Sequence, residues 1–595
     1  MSLPSAGASR LEAARQLLYK YFGYKDFRPA QAPVVSDILA GRDTVAIMPT
    51  GAGKSICYQI PAMMMNGITL VVSPLISLMK DQVDSLTAQG VPATFINSSL
   101  PPEECQDRLR RIAQGSFRLV YIAPERLDSG LFHSVFEKIP VAMVAVDEAH
   151  CLSQWGHDFR PSYRNIAPFI NKLPGRPFIS AFTATATPEV REDIIRLLAL
   201  GRPAIHVSGF DRPNLYFEVR QGEKKDRFII SYLKKHPDQS GIIYAATRKN
   251  VDTLYTLLQK KHFPVGRYHA GLTDGERQQM QDDFLYDRLP VIIATNAFGM
   301  GIDKSNVRFV IHYNMPKNPE AYYQEAGRAG RDGEPGECIL LAGARDIYTQ
   351  KFLIEQSVGN DQRKITEFGR LQSMIDYCST PLCLRQFIIN YFGEATGYEN
   401  CGNCSNCKSR HELADITVDA QKILSCVYRM HEAYGITLTA QVLCGSANQQ
   451  VLRCGFDRLS TYGLFRERSI PQVKQLIQQL VAMKYLSLTE SEYPVLKLNQ
   501  SSLAVLKGKE QVLLPVIKEN TAGPAPDGMF SLLRSVRRRL AAGEGLPPYM
   551  IFSDATLRDM CAKNPHTLDE MRTVKGIGEL KLKKYGQPFL DCFNS

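Results

Sequence analysis

An apolar run, TVAIM (44–48), leads into Pro49-Thr50-Gly51-Ala52-Gly53-Lys54-Ser55 and then into a segment with helical periodicity. Strand, glycine-rich loop and helix in that order make a phosphate cradle. The glycines let backbone N–H groups converge on phosphate oxygens, and the helix N-terminus adds a favourable dipole. In such a cradle the Lys54 ammonium reaches the outer phosphates and the Ser55 hydroxyl can sit on Mg²⁺. The strict pattern has glycine five residues before Gly53, where this chain has Met48. Alone, the segment could equally be a tight turn. A second segment favours the cradle: MVAVD (143–147) runs into Asp147-Glu148-Ala149-His150, placing two carboxylates at the C-terminal end of a strand. Asp147 is suited to hold Mg²⁺ and Glu148 to polarise an attacking water.

A third cluster is metal chemistry of another kind. Cys401, Cys404 and Cys407 stand three residues apart in a Gly/Asn-rich stretch, a spacing that folds around one ion. Zn²⁺ is expected in a structural role, because a site of four thiolates has no open position; an Fe–S cluster is the alternative. The fourth ligand must come from elsewhere, and Cys378 and Cys383 both precede the cluster.

These residues need elements to position them. TLVVS (69–73), LVYIA (119–123) and FISAFTA (178–184) join the two strands above as short, uninterrupted apolar runs, which suits buried parallel strands. Helical patterns lie between them, so the fold class is α/β. After the turn-like FDRPN (210–214) the rhythm restarts with GIIYAAT (241–247), VIIAT (291–295) and VRFVIHYN (307–314). Two such units imply two lobes and a cleft. Residues 346–392 look helical, 416–515 are helical segments leading to a short hairpin at 485–499, and TAGPAPDG (521–528) is a linker candidate.

Length and composition agree. A chain of 595 residues is long for fewer than about four domains. Its net charge of +11 favours a polyanionic partner without identifying one. The N-terminus shows no signal-peptide pattern, no run approaches the roughly 18 apolar residues of a membrane helix, and the 14 cysteines suit a reducing compartment. A bacterial cytoplasmic protein without membrane contact is expected.

Read in order, the motifs resemble those of superfamily 2 helicases, and specifically the RecQ family of DNA helicases. The matching segments include FGYKDFRPAQ (22–31), MPTGAGKS (48–55), VVSPLISLMKDQV (71–83), YIAPERL (121–127), DEAH (147–150) and SAFTATAT (180–187). FDRPNL (210–215), YHAGL (268–272), ATNAFGMGIDK (294–304) and QEAGRAGRDG (324–333) continue the series. Ala245-Ala246 and Ser305-Asn306 depart slightly from the family's usual residues, at positions that carry no catalytic chemistry.

The resemblance implies two RecA-like parallel-sheet lobes (1–208 and 209–342), a helical zinc-binding module (343–408), a winged helix (409–515), a linker (516–524) and a small helical HRDC domain (525–595). It implies that Tyr24, Arg28 and Gln31 recognise adenine, that Thr50–Ser55 with His150 and Gln324 complete the nucleotide site, and that Arg328 and Arg331 fall in the arginine-finger motif, with Arg331 favoured as the finger. The family's pattern of cysteine before a basic residue and YFGE favours Cys383 over Cys378 as the fourth zinc ligand.

CLSQWGHDFRPSY (151–163) resembles the family's aromatic-rich loop, which couples DNA to the ATP site. Gln154, Trp155, His157, Phe159 and Arg160 are therefore expected at single-stranded DNA, where aromatics stack on bases and cations meet phosphate. Ser73 and Lys80 are further strand-contact candidates. In the winged helix, Ser446–Gln450 with Arg453 lie in the recognition region, and Tyr493 sits near the hairpin tip. Gly576-x-Gly578, flanked by Lys575 and Lys581, is read as a backbone-phosphate contact or a solvated basic face.

The expected activity is ATP-dependent 3′→5′ DNA unwinding in recombination, repair and replication, with ATP, Mg²⁺ and Zn²⁺ as ligands. The expected partners are single-stranded and duplex DNA, with single-stranded DNA-binding protein and other repair proteins beside them. A related RNA helicase and a non-catalytic DNA-binding scaffold are the alternatives. Against the scaffold, Lys54, Asp147, Glu148 and both arginines are intact.

Overall fold

The computed structural model describes residues 6–156, 158–299, 304–357, 361–409, 412–489, 494–516 and 528–594. His157, Tyr493 and nearly all of the 516–524 linker lie outside them.

The first lobe is a seven-stranded sheet in the order β3-β4-β2-β5-β6-β1-β7. Its strands are β1 (Thr44–Ile47), β2 (Ile68–Val72), β3 (Ala93–Ile96), β4 (Leu119–Ile122), β5 (Val141–Val146), β6 (Phe178–Thr183) and β7 (Ala204–Val207). Every pairing is parallel. β1 and β2 are buried along their whole length, as strands covered by helices on both faces must be, which is why their sequences show no alternation. Three neighbours, β5, β6 and β1, carry DEAH, the TATAT segment and the phosphate loop at their C-terminal ends. Adjacent parallel strands bring those ends together, where ligands bind in open α/β sheets.

The second lobe repeats the architecture with six parallel strands in the order β10-β11-β9-β12-β13-β8. These are β8 (Leu215–Gln221), β9 (Ser240–Tyr244), β10 (Val265–Tyr268), β11 (Val291–Ala294), β12 (Val307–His312) and β13 (Gly336–Ala342). Arg328 and Arg331 lie between a helix, Pro319–Ala326, and β13.

Helices Ala344–Ser357, Asp361–Ser379 and Leu384–Tyr391 follow, then the cysteine loop. This module grips the segment that joins the lobes. Arg385 pairs with Asp211 at 3.1 Å, the Tyr398 hydroxyl donates to Asp211 at 2.8 Å, and the Asn403 amide donates to the Pro213 carbonyl at 3.1 Å. The winged-helix region closes on itself through the antiparallel pair Glu412–Asp415 and Leu513–Val516. Its hairpin strands are only two residues long, Ser487–Leu488 against Leu496–Lys497.

The last five helices, from Gly528–Glu544 to Glu579–Asn594, form a separate small core. At its centre Arg537 is fully buried and pairs with Asp554 at 2.8 Å. This domain is seated on both lobes. Arg558 pairs with Glu334 at 2.6 Å, and the Tyr286 hydroxyl donates to the Gly545 carbonyl at 3.1 Å. A methyl group added at Gly578 would stand 2.9 Å from the Gly23 Cα. Gly578 is thus pressed against the first lobe and leaves no room for a phosphate there, while Gly576 faces Thr556 of its own domain and Lys575 is exposed. Lys581 is turned inward, donating to the Met550 carbonyl at 2.7 Å.

Candidate active site and nucleic-acid interface

The phosphate loop opens into a pocket of ≈ 300 Å³ between the lobes. Gly51 and Gly53 have φ of +85° and +81°, a left-handed backbone that side chains resist, and Gly53 is the N-cap of the helix Lys54–Met64. Thr50, Gly51, Gly53, Lys54 and Ser55 all line the pocket. The loop's carbonyls are held by side-chain donors. Arg28 donates to the Gly51 carbonyl, and the Gln31 amide donates to those of Ala52 and Gly53 at 3.0 and 3.1 Å. The Gln31 oxygen accepts from the Arg28 N–H at 2.9 Å. The nitrogen end of the amide expected to read adenine is therefore engaged with the loop and its oxygen with Arg28, and exposed Tyr24 lies on the same rim.

Lys54 donates to the Met48 carbonyl at 3.2 Å. Burial pulls its ammonium below the ordinary range, while Glu148 and Asp147 hold it up and Arg331 opposes them. Burial and the Glu148 charge push the Asp147 carboxyl up to about 7, against Lys54. Two adjacent carboxylates in a buried cleft are the donor set a divalent cation relieves. Asp147 and Ser55, both on the pocket wall, fit Mg²⁺.

Glu148 sits in left-handed backbone at φ +47°. His150 does not line the pocket as expected. It is buried behind Glu148, with Nδ1 3.3 Å from the Glu148 carboxylate and 2.9 Å from the Thr183 hydroxyl. Burial, with Lys54 and Arg160 nearby, pushes its pKa down to about 3, so the ring is neutral. Thr183 in turn donates to the Thr185 carbonyl at 3.2 Å. The imidazole thus ties the acidic motif on β5 to the end of β6.

From the other lobe, Gln324, Arg328 and Arg331 reach the same pocket. A methyl group at Gly51 would come within 3.3 Å of the Arg331 Cα, so the loop that carries Arg331 and the phosphate loop are in contact. Burial and Arg331 work against the charge on Arg328, and Tyr244 favours it.

The loop after DEAH is closed at both ends. The Arg160 N–H donates to the Cys151 carbonyl at 3.0 Å, and the Tyr163 hydroxyl to the Asp147 carbonyl at 2.9 Å. Gln154 is exposed and Trp155 is 41% exposed, so the tryptophan is not core. Its carbonyl accepts from Arg370 on the helix Asp361–Ser379, which links the loop to the module beyond the second lobe. Phe159 is half-buried beneath the guanidinium of Arg164. Arg160 donates to the Pro74 carbonyl at 2.8 Å. Lys80 is exposed, whereas Ser73 departs from expectation: its hydroxyl is buried without a hydrogen-bond partner and does not face a strand.

The sulfurs of Cys383, Cys401, Cys404 and Cys407 lie within 4.8 Å of one another. Zn–S bonds of about 2.3 Å put tetrahedral sulfurs about 3.8 Å apart, so the set fits Zn²⁺. Backbone N–H groups of Gln386, Asn403 and Cys407 point at three of the sulfurs at 3.4 Å, as second-layer donors to thiolates do. Cys378 is buried elsewhere, in the helix Asp361–Ser379.

Arg212, in a segment that the sequence marks as a turn and a family motif without a role for this side chain, reaches across and donates to the carbonyls of Ala329 at 3.2 Å and Gly330 at 2.7 Å. No local pattern could reveal partners so distant in the chain.

Two parallel-sheet lobes, a phosphate loop on one and paired arginines on the other, define a two-lobed helicase-type ATPase. Family profiles agree: DEAD/DEAH box helicase matches residues 28–194 and helicase conserved C-terminal domain residues 224–333. RecQ zinc-binding matches 344–408, RQC domain 410–522 and HRDC domain 527–593. The chain belongs to the RecQ family of DNA helicases. It is 47% identical to ATP-dependent DNA helicase RecQ of Bacillus subtilis (strain 168), covering 98% of each chain. It is 38% identical to the protein of the same name from Haemophilus influenzae, covering 97% of this chain and 95% of that one. RecQ-like DNA helicase BLM of Xenopus laevis is 32% identical over 97% of this chain and 46% of its own.

Proposed function

We propose that the protein hydrolyses ATP between its lobes and uses the cycle to move 3′→5′ along single-stranded DNA, unwinding duplexes in recombination, repair and replication. The observation that carries this reading is the single pocket lined by Lys54, Asp147 and Glu148 from one lobe and Arg328 and Arg331 from the other. ATP bound there closes the cleft, and hydrolysis releases it.

Lys54 neutralises the outer phosphates, Glu148 takes a proton from the attacking water, and the Arg331 guanidinium meets the charge that develops on the γ-phosphoryl group. Ser55 and Asp147 would hold Mg²⁺, which would supply further neutralisation of the phosphate charge. Zinc on the four cysteines is structural. Trp155 and Phe159 receive the bases of the tracked strand, and the short path from Trp155 to Glu148 carries the signal that DNA is present. The winged helix takes the duplex. Single-stranded DNA-binding protein and other repair proteins are its proposed partners, in a bacterial cytoplasm. No helix among the described residues is long and apolar enough to cross a membrane.

Unwinding of duplexes with a 3′ or a 5′ single-stranded tail, with and without ATP and Mg²⁺, tests the reading. Unwinding should need both cofactors and a 3′ tail, and single-stranded DNA should stimulate hydrolysis more than single-stranded RNA. Activity confined to 5′ tails, or stronger stimulation by RNA, would contradict it.

A further inference from the structure

We propose that Arg212, in the segment joining the lobes, is a positioning residue for hydrolysis: its guanidinium clips the arginine-finger loop to the phosphate loop. The proposal rests on the ATPase reading above.

One nitrogen of Arg212, Nη1, donates to the Thr50 carbonyl in the phosphate loop and to the Gly327 carbonyl at 3.4 Å. The other, Nη2, donates to Ala329 at 3.2 Å and Gly330 at 2.7 Å. These carbonyls flank Arg328 on both sides and immediately precede Arg331. The backbone of both arginines is therefore held by one side chain that also holds the loop under the phosphates.

Four successive carbonyls of the phosphate loop, Thr50 to Gly53, receive side-chain donors from Arg212, Arg28 and Gln31. Carbonyls bonded in this way hold the loop in one backbone conformation. Arg28 and Gln31 belong to the first lobe, whereas Arg212 also bonds the second. A fork of planar donors can serve two loops at once; a lysine, with one point of charge, cannot.

The placement of Arg212 is fixed independently. Its Nε donates to the Asn214 oxygen at 3.3 Å, and the Asn214 amide itself donates to the carbonyls of Gly330 at 2.9 Å and Glu334 at 2.8 Å. The residues on either side, Asp211 and Pro213, are held by the zinc-binding module. No carboxylate pairs with Arg212 among the described residues; burial weighs against its charge, and so do its neighbours Arg331 and Arg28. A half-buried cation bonded to carbonyls and to no carboxylate is costly unless it serves a geometry.

The test is single-stranded-DNA-stimulated ATPase of the full chain carrying Arg212→Lys, with ATP titrated to separate kcat from KM. Zinc content, melting and single-stranded DNA affinity are measured on the same preparation. The expected result is a fall in kcat of about 10–100-fold, with KM for ATP changed less than about threefold and DNA affinity unchanged. Added to Arg331→Ala, Arg212→Lys should cost clearly less than it does alone, because much of its effect passes through that arginine. An unchanged kcat, or a full additional loss in the Arg331→Ala background, overturns the proposal. If Arg212→Lys does not fold, Asn214→Ala takes its place: a kcat-selective loss of about 3–10-fold is expected, and normal turnover overturns the proposal. Absence of DNA-stimulated ATPase in the unmutated protein would instead sink the ATPase reading itself.

Discussion

The chain carries two Gly-x-Gly segments beside lysines, Gly51–Gly53 before Lys54 and Gly576–Gly578 between Lys575 and Lys581. At the first, the loop leaves the C-terminal end of a buried parallel strand and lines an open pocket. At the second, Gly576 has a comparable φ of +82°, but Gly578 lies against Gly23 and the space a ligand would need is filled by backbone. The lysines diverge in the same way. Lys54 has Asp147 and Glu148 to sustain its charge. Burial alone lowers Lys581 to about 8. Glycine permits a close approach in both places; whether phosphate or protein makes it depends on the strand behind the loop and the acids beside it.

Four experiments would break or sharpen that contrast. The largest effect is expected from Lys54→Ala, which should abolish ATP hydrolysis and unwinding while melting and zinc content stay normal; DNA-stimulated turnover in this variant would put the phosphate site elsewhere. Next is Cys404→Ser, a case where local spacing does mean a ligand. Zinc content should drop by at least about half and apparent melting by roughly 5–10 °C, since metal-binding free energy is folding free energy in such modules. Full zinc with unchanged melting would remove Cys404 from the set.

Trp155→Ala should follow, with single-stranded-DNA stimulation of the ATPase reduced about tenfold and overall DNA affinity changed little, one stacking position being worth about 1–3 kcal/mol. Because the side chain is exposed, melting should hardly move. Normal stimulation would sink its coupling role.

The smallest effect belongs to Lys581→Met. A lysine whose folded pKa lies below its unfolded one destabilises the fold while it must be charged, and that penalty fades as pH rises from about 8 towards the ordinary lysine range near 10.5. Lys581→Met should raise melting of the last domain by about 2–4 °C at pH 7 and flatten its rise between pH 8 and 10.5, with ATPase untouched. Lower melting at pH 7, or lost ATPase, would mean that this lysine does resemble Lys54.

Most central strands were legible because burial on both faces leaves uninterrupted apolar runs, as in β1 and β2; β13, which opens on Gly-Glu-Cys, was missed. Edge strands were not legible. β7 exposes Ile205 and Val207, and β10 is only VGRY, with glycine inside. Lys54, Asp147 and Glu148 could be read from spacing, since each sits where a strand ends. The choice of Cys383 over Cys378 could not, because both precede the cluster. Only the fold shows that Cys383 caps the helix Leu384–Tyr391 beside the other thiols. His150 illustrates another limit: a motif places a residue next to a site without saying which way its ring turns. The seat of the last domain depends on Gly23 meeting Gly578, a contact no local pattern can encode.

The grip of the zinc-binding module on Asp211 and Pro213 makes the metal a participant in a thermodynamic cycle. Coupling between two binding events is reciprocal: whatever preference zinc gives one arrangement of this segment, that arrangement returns as zinc affinity, by the same factor. Each nucleotide state that shifts the segment then carries its own zinc affinity. The partition of zinc between protein and a colorimetric chelator becomes a gauge of lobe arrangement, read from outside the cleft where ATP is hydrolysed.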